Sequence, residues 1–269
     1  MDAISECKDK ARNIWKNKLN YAEFLKNKRV AIVGPSKSSI GSDLGSVVDS
    51  YDVVVRLLPS SGNIQETIDK NYKDVGSKTD ILYSNFDQLL LTSENISNFK
   101  SQGVRFVNCT RPISELGTIW LHSKNLFDKM GMSYCPVKPE KYYNWSSTIK
   151  CSPHKGFCTI LDIMSYEVKE IYVIGFSFYK DAATSDWANL NGWGYKKYLQ
   201  DVEQVERDAE KVVEYYDKEK TYININEWTQ ESVHNNEKEF LFFKHEILNK
   251  DKRVKIAESL EHFFVKEGK

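Results

Sequence analysis

The chain has 269 residues, of which 41% are hydrophobic. This is enough to bury the core of one large domain and excludes a disordered chain. Its 38 basic and 38 acidic residues cancel, so no global field attracts nucleic acid, and we expect no nucleic-acid partner. No apolar run approaches the roughly 20 residues that span a bilayer, no signal peptide is visible, and the five cysteines form no CxxC pair. We therefore expect a cytoplasmic protein with reduced thiols, no transmembrane segment and no zinc site.

The first half of the chain predicts strands separated by helical or polar connections. Residues 1–27 read as a helical lead-in, because apolar side chains recur at helical spacing among many lysines. β-Branched apolar runs typical of a buried parallel sheet follow at residues 29–34, 52–57, 80–85 and 104–109. A helix is predicted over 119–131, ending at Gly131.

The second half continues the alternation. We expect a long loop over 136–156, a helix over 156–168, a buried strand over 169–179 and a last strand over 221–227. The tail, 228–269, reads as a loop and two helices. The prediction is one α/β domain over 1–269, a Rossmann-like and largely parallel sheet flanked by helices, with helical N- and C-terminal additions.

The loop after the first strand departs from the common phosphate-binding patterns. In RVAIVGPSKSSIGSDLGS, Gly41 precedes Ser42 and Asp43, whereas a P-loop needs Lys and Ser/Thr there. The glycines are also too widely spaced for a dinucleotide fingerprint. A strand end rich in small hydroxyl residues and amides remains, at the sheet edge where open α/β folds bind ligands.

Four segments, in order, resemble the motifs of the eukaryotic-type sialyltransferases. Residues 29–56 are similar to the long motif, DVGSKTDILYSN (74–85) to the segment after it, and SPHKGFCTILDIMSYEVKEIYVIGF (152–176) to the short motif. VHNNEKEF contains the His-x4-Glu spacing of the very short motif, at His234 and Glu239. The ending IYVIGFSFY also looks like a strand of the bacterial sialyltransferases of related fold.

The resemblance implies a GT-A-like variant of the Rossmann-like fold. It further implies inverting transfer of sialic acid or a related acidic sugar, such as 3-deoxy-manno-octulosonic acid, from a cytidine monophosphate (CMP) sugar to a glycan hydroxyl. The implied partners are the nucleotide sugar and a glycan acceptor, and neither a cofactor nor an essential metal is expected. A single phosphate is less charged than a diphosphate, so helix N-termini, hydroxyls and amides can hold it without an Asp-x-Asp metal site.

The sequence departs from the family pattern at several positions. The two cysteines that the family pairs are matched by Val30 and Val168. A family asparagine is replaced by Leu58, and the polar residue after VG by Pro35. The hydroxyl residues before the short-motif glycine are replaced by His154 and Lys155. Loss of the cysteines fits a reducing compartment. Lys155 is able to pair with a donor phosphate or carboxylate, which leaves a different nucleotide-sugar donor open.

The resemblance makes His234 the candidate general base, because an imidazole titrates near neutral pH. In the family this motif precedes a helix and a terminal strand, whereas here the strand predicted at 221–227 comes before it. A capping or surface histidine is therefore the alternative, with His154, Asp181 or Asp186 as replacement bases.

The candidate donor-binding residues lie at predicted strand ends and at the start of the short-motif helix. They are Gly34, Ser36, Asn85, Lys155, Gly156 and Tyr179. Turn formation is the alternative for Gly34, Ser36 and Asn85, and core packing for Tyr179.

Aromatic residues of the two predicted long loops are candidates to stack on an acceptor sugar, namely Tyr143, Trp187 and Trp193. They serve equally well to cover the core edge. A catalytically inactive nucleotide- or glycan-binding module is the alternative from outside the enzymes. Peripheral membrane contact through the lysine-rich N-terminus needs a clearer apolar face than it has, and the oligomeric state is not indicated.

Overall fold

The computed structural model describes residues 20–58, 64–85, 91–112, 116–178 and 236–264. The strands are β1 (Arg29–Val33), β2 (Val53–Leu57), β3 (Ile81–Ser84), β4 (Phe106–Cys109), β5 (Glu170–Ile174) and β6 (Val254–Ile256). The helices are α1 (20–25), α2 (Gly45–Asp49), α3 (Ile64–Val75), α4 (Ser93–Ser101), α5 (Thr118–Met130), α6 (Pro139–Ile149), α7 (Lys155–Met164), α8 (236–242) and α9 (Glu258–Phe264). A 3-10 turn lies at Lys37–Ser39 and a π-helical turn at Phe243–Leu248.

The six strands form one sheet in the order β4-β3-β2-β1-β5-β6. Every neighbouring pair among them is parallel; for example, Val30 lies beside Val53 on one side and Ile171 on the other. The strand order runs outward from β1 in both directions, which makes the β1/β5 boundary a topological switch point. The predicted α/β fold, a Rossmann-like parallel sheet flanked by helices, is confirmed.

Both faces of the sheet are covered, as expected for strands that read as continuous apolar runs. On one face, alternate residues such as Val30, Ile32 and Val55 pack with α1, α7 and the C-terminal elements. On the other face, Ala31, Val33 and Val54 pack with α2 and the end of α3, and the β3–β4 side packs with α4 and α5. Each fully buried aliphatic side chain contributes about 1.5–3 kcal/mol to the hydrophobic term.

Two expectations about the loops are wrong. Within the predicted loop 136–156, α6 forms because Pro139 occupies its first turn, Tyr142 and Ile149 are buried on one face, and Lys150 caps its end with a left-handed φ of 60°. In the tail, predicted to be loop and helices, β6 pairs with β5 through Ile171 and Val254. The strand is short, so its alternation carries little signal.

Several element boundaries differ from the prediction, and some predictions fall elsewhere. Helix α7 ends at Met164 rather than at Val168, and β5 ends at Ile174. Gly131 ends α5 as predicted, in the left-handed conformation with φ 60°. The strand at 221–227 and most of the lead-in lie outside the described residues, as does residue 179. Among the described helices, none is long and apolar enough to cross a bilayer.

Candidate functional site

The carboxyl ends of β1 and β5 meet at the switch point through two glycines. The Gly34 amide donates to the Ile174 carbonyl at 2.8 Å. A Cβ built on Gly34 would lie 2.2 Å from the Gly175 carbonyl oxygen, and one on Gly175 would lie 2.5 Å from the Gly34 oxygen. Gly175 also has a φ of +70°. Gly34 therefore must be glycine because the two backbones approach closely. Gly175 must be glycine for the same reason and because of its positive φ.

A single aromatic ring joins the first and third motif segments. Phe176, 8% exposed, follows Gly175. A Cβ on Gly34 would lie 2.7 Å from its ring, and a Cβ on Gly156 would lie 2.8 Å from it. The Phe176 ring therefore packs the first turn of α7 against the end of β1, so the structure places Gly34 and Gly156, which were predicted from separate motifs, on the same ring.

Ser36 lies in the same loop, but its polar groups face the protein. Its amide donates to the Gly175 carbonyl at 3.0 Å, and its side-chain oxygen accepts from the Ser38 amide at 3.0 Å while lying 2.6 Å from the Ser38 hydroxyl oxygen. Its side chain thus caps the 3-10 turn. This geometry gives Ser36 a role in shaping the loop, and its predicted contact with a donor stays a prediction.

Lys155 is the first residue of α7, and its side chain contacts the backbone of Leu58. Its Nζ donates to the Leu58 carbonyl oxygen at 2.9 Å, 97 residues away in the chain. Leu58 itself is 2% exposed. Burial lowers the pKa of Lys155 to about 8. The Lys155 side chain is therefore anchored on the backbone just after β2.

The neighbouring strand ends add further polar groups at this edge. Asn85 is exposed directly after β3. Cys109 ends β4 fully buried, and burial raises the pKa of its thiol to about 12 despite the nearby charges of Arg111 and Lys155. The thiol is thus neutral at physiological pH and does not compensate the charge of Lys155.

The short and very short motifs are joined by a buried carboxylate. Glu239 on α8, 2% exposed, accepts from the His154 amide at 2.5 Å, and its Oε1 lies 3.0 Å from His154 Nδ1. Burial alone lowers the pKa of His154, but the charge and hydrogen bond of Glu239 outweigh it, so the pKa lies above its ordinary value. Because His154 directly precedes α7, this pair sits at the helix end that carries Lys155 and Gly156.

Other motif residues form a framework away from this edge. Arg56, 4% exposed, donates to the carbonyls of Val75, Gly76 and Lys78 and to the Thr79 hydroxyl at 2.8 to 3.0 Å. Burial lowers its pKa to about 10. The arginine that ends the long motif therefore holds the VGSKT turn, which is a structural role.

Asp49 binds the same turn from α2. Its carboxylate accepts from the amides of Ser77 and Lys78 and from the Ser77 hydroxyl, each at 2.9 Å. Burial would raise the pKa of Asp49, but these hydrogen bonds hold it below its ordinary value. A Cβ on Gly76 would lie 2.5 Å from this carboxylate, which explains the glycine of VGSKT.

Of the remaining candidate residues, Tyr143 lies within the described residues and the others do not. Tyr143 is 48% exposed on α6, beside the buried Tyr142. His234, Tyr179, Trp187 and Trp193 lie outside the described residues, as do Asp181 and Asp186. Among the described residues, no group of three or more His, Cys, Asp or Glu side chains is arranged to hold a metal ion. Sequence reasoning missed the contact between His154 and Glu239, since 85 residues separate them and no local pattern signals such a pair.

Comparison with solved structures returns sialyltransferases. A mammalian sialyltransferase in complex with Gal-beta-1-3GalNAc-ortho-nitrophenol has a TM-score of 0.42 at 17% identity, covering 62% of this chain and 64% of that one. For a second mammalian sialyltransferase structure the TM-score is 0.37 at 17% identity, with 56% and 55% covered. CstII from Campylobacter jejuni, in complex with cytidine-5'-monophosphate, gives 0.42 at 15% identity, with 68% and 78% covered.

The chain thus spans less than two thirds of the two mammalian chains. No protein-family model and no curated protein matches the sequence.

Proposed function

We propose that this protein is an inverting glycosyltransferase. It moves sialic acid or a related acidic sugar, such as 3-deoxy-manno-octulosonic acid, from a CMP-sugar to a glycan hydroxyl, without a cofactor or an essential metal. The observation that carries the proposal is Lys155, a cation at the N-terminal end of α7, where Gly34, Gly156 and Phe176 pack the end of β1 against the helix. The first backbone amides of a helix and a lysine at such an end favour one phosphate and one sugar carboxylate.

In the proposed reaction, the acceptor hydroxyl oxygen attacks the anomeric carbon on the face opposite the phosphate. The bond between that carbon and the phosphate oxygen breaks, and CMP leaves with the electron pair. Lys155 and the first amides of α7 stabilise the charge that grows on the phosphate, assisted by the Tyr179 hydroxyl. His234 accepts the acceptor proton, and Asn85 at the end of β3 hydrogen-bonds the donor.

One structural feature supports His234 as the base. In the family the very short motif precedes a helix and a terminal strand, and here α8 and then β6 follow residue 234. The strand predicted at 221–227 had suggested the reverse order. The cytoplasmic location belongs to the same proposal and rests on the absence of a disulfide among Cys109, Cys135, Cys151 and Cys158.

The experiment is release of CMP from CMP-sialic acid and from CMP-3-deoxy-manno-octulosonic acid, with and without a panel of glycan acceptors. We expect turnover with one donor, and His234→Ala to lower it about 10²- to 10⁴-fold while nucleotide binding stays unchanged. His245→Ala, which removes an exposed tail histidine, is the matched control. CMP binding without turnover by any acceptor would contradict the transferase and favour the binding module.

A further inference from the structure

Glu239 places a negative charge at the very helix end proposed to receive an anionic donor. Its side chain is 2% exposed, and it lies against the His154 amide, one residue before Lys155. A buried carboxylate near a bound phosphate or sugar carboxylate repels it, and the repulsion is strong where water is excluded. The helix end is therefore competent for an anion only if this charge is compensated.

His154 supplies the compensating group. Its Nδ1 lies 3.0 Å from Glu239 Oε1, with 21% of its side chain exposed. A protonated imidazole at this distance makes the pair neutral overall, while the amide hydrogen bond fixes the carboxylate in place.

We propose that His154 is a positioning residue of the donor site, which neutralises and fixes the Glu239 carboxylate so that the N-terminal end of α7 accepts the anionic groups of the donor. This inference rests on the proposed function and deepens it. It assigns to His154 a role other than that of a base, and to Glu239 a role in donor affinity.

Among the described residues, other titratable groups near the pair lie on α7 and α8. On α7, Lys155 is adjacent; Cys158 donates to the Pro153 carbonyl, and burial raises the pKa of its thiol well above the ordinary value, so it stays neutral. Asp162 and Cys151 also raise the pKa of the Cys158 thiol. On α8, Lys238 donates to the Lys150 carbonyl at 2.7 Å. Lys155, with its pKa of about 8, is thus the neighbour whose titration must be separated from that of His154.

The test is the affinity for the methyl phosphodiester of CMP, measured by isothermal titration calorimetry from pH 5.5 to 9. A phosphodiester has no second ionisation near pH 6, so the ligand charge stays constant. In the wild type, affinity should fall as pH rises through the raised pKa of His154, because deprotonation uncovers the Glu239 charge. His154→Gln, which keeps a hydrogen-bond donor but no charge, should lower affinity about fivefold to tenfold at pH 6.

Rescue separates this role from a merely structural one. Glu239→Gln should bind as well as the wild type at pH 6 and show no pH dependence below the Lys155 titration. Adding Glu239→Gln to His154→Gln should restore the lost affinity, because the uncompensated charge is gone. His245→Gln is the control that removes a tail histidine and should change neither the affinity nor its pH profile.

The outcomes are distinguishable. If the wild type binds and His154→Gln binds equally well with the same pH profile, or if Glu239→Gln does not restore affinity, the inference is wrong and the proposed function stands. If the wild type does not bind the phosphodiester at any pH, the proposed function fails and the inference fails with it. If His154→Gln does not fold, the flat profile expected of Glu239→Gln still decides.

Discussion

The motif residues divide into two regions with different physical character. Around Arg56, Asp49 and the VGSKT turn, charged side chains bind backbone amides and carbonyls, and the region is a closed framework. Around Gly156, the chain instead places Lys155 and the pair of His154 and Glu239 at a helix end, with pKa values shifted toward neutrality. Hydrogen bonds therefore distinguish the residues that hold the framework together, such as Arg56, from the residues at the helix end, such as Lys155.

The largest expected effect breaks the framework. Arg56→Met leaves the carbonyls of Val75, Gly76 and Lys78 without their buried donor, so we expect a loss of about 3 kcal/mol in the free energy of unfolding. The melting temperature should drop by about 6–12 °C. The partly exposed Lys78, whose Nζ binds the carbonyls of Tyr51 and Asp52, gives the control: Lys78→Met should cost less than about 1 kcal/mol. Equal losses would show that Arg56 is not the centre of this framework.

Gly34→Ala should have the second largest effect on stability, because it disturbs the contact between the ends of β1 and β5. Its Cβ meets the Gly175 backbone oxygen at 2.2 Å, which has no room to move, so about 1–3 kcal/mol is lost. The nearest neighbours of a Cβ in Gly156→Ala are side chains, the Phe176 ring at 2.8 Å and Leu57 at 3.4 Å, so this substitution should cost less. Phe176→Leu, which trims that ring, should relieve most of the Gly156→Ala effect but only part of the Gly34→Ala effect, because the Gly175 oxygen still blocks the Gly34 Cβ. Thermal unfolding of the single and double variants measures this, and full relief of Gly34→Ala would disprove the geometry.

The pH dependence of donor binding tests whether the charge of Lys155 contributes to the donor site. Burial lowers the pKa of Lys155 to about 8, so the free protein loses this cation as pH rises through that value. Affinity for the CMP methyl phosphodiester should fall above pH 8 in the wild type and in Glu239→Gln alike. Lys155→Met should show no such step. A wild-type affinity that is constant from pH 7.5 to 9.5 would mean that Lys155 does not contact the donor.

The smallest effect concerns the acceptor. Tyr143 is 48% exposed, so Tyr143→Ala should change stability by less than about 0.5 kcal/mol, while raising the KM for the acceptor severalfold and leaving donor hydrolysis unchanged. The neighbouring Tyr142 is 9% exposed and packs with Val137 and Cys158. Tyr142→Ala should therefore destabilise the fold by about 3 kcal/mol. Transfer kinetics and thermal unfolding of both variants separate these roles, and an unchanged acceptor KM in Tyr143→Ala would exclude it from the acceptor site.

The sequence predicts the central sheet well and its edges poorly. The runs that became β1 to β5 are apolar and β-branched, because strands buried on both faces need no polar alternation. Strand β6 is too short to give a pattern, and the buried stripe of α6 rests on aromatic residues in a segment that reads as a loop. These elements form because tertiary contacts stabilise them, which propensity alone does not reveal.

The candidate site was predictable only in its parts. Gly34, Lys155 and Gly156 are identified from motif positions, and the structure brings them together. Their connections are long-range: Lys155 reaches Leu58 across 97 residues, and His154 reaches Glu239 across 85. Both contacts involve positions where the sequence departs from the family pattern. No spacing within one segment reveals contacts of this kind.

The central claim is that Lys155 at the start of α7 binds the phosphate of a cytidine monophosphate donor. Calorimetric titration of CMP, CDP, UMP, UDP, GMP and GDP into the wild type and Lys155→Met tests it most directly. We predict that CMP binds most tightly and that Lys155→Met weakens it at least about tenfold, measured well below the melting temperature of the variant because the Leu58 carbonyl also loses its hydrogen bond. Tighter binding of a diphosphate, or CMP binding that Lys155→Met leaves unchanged, would contradict the account.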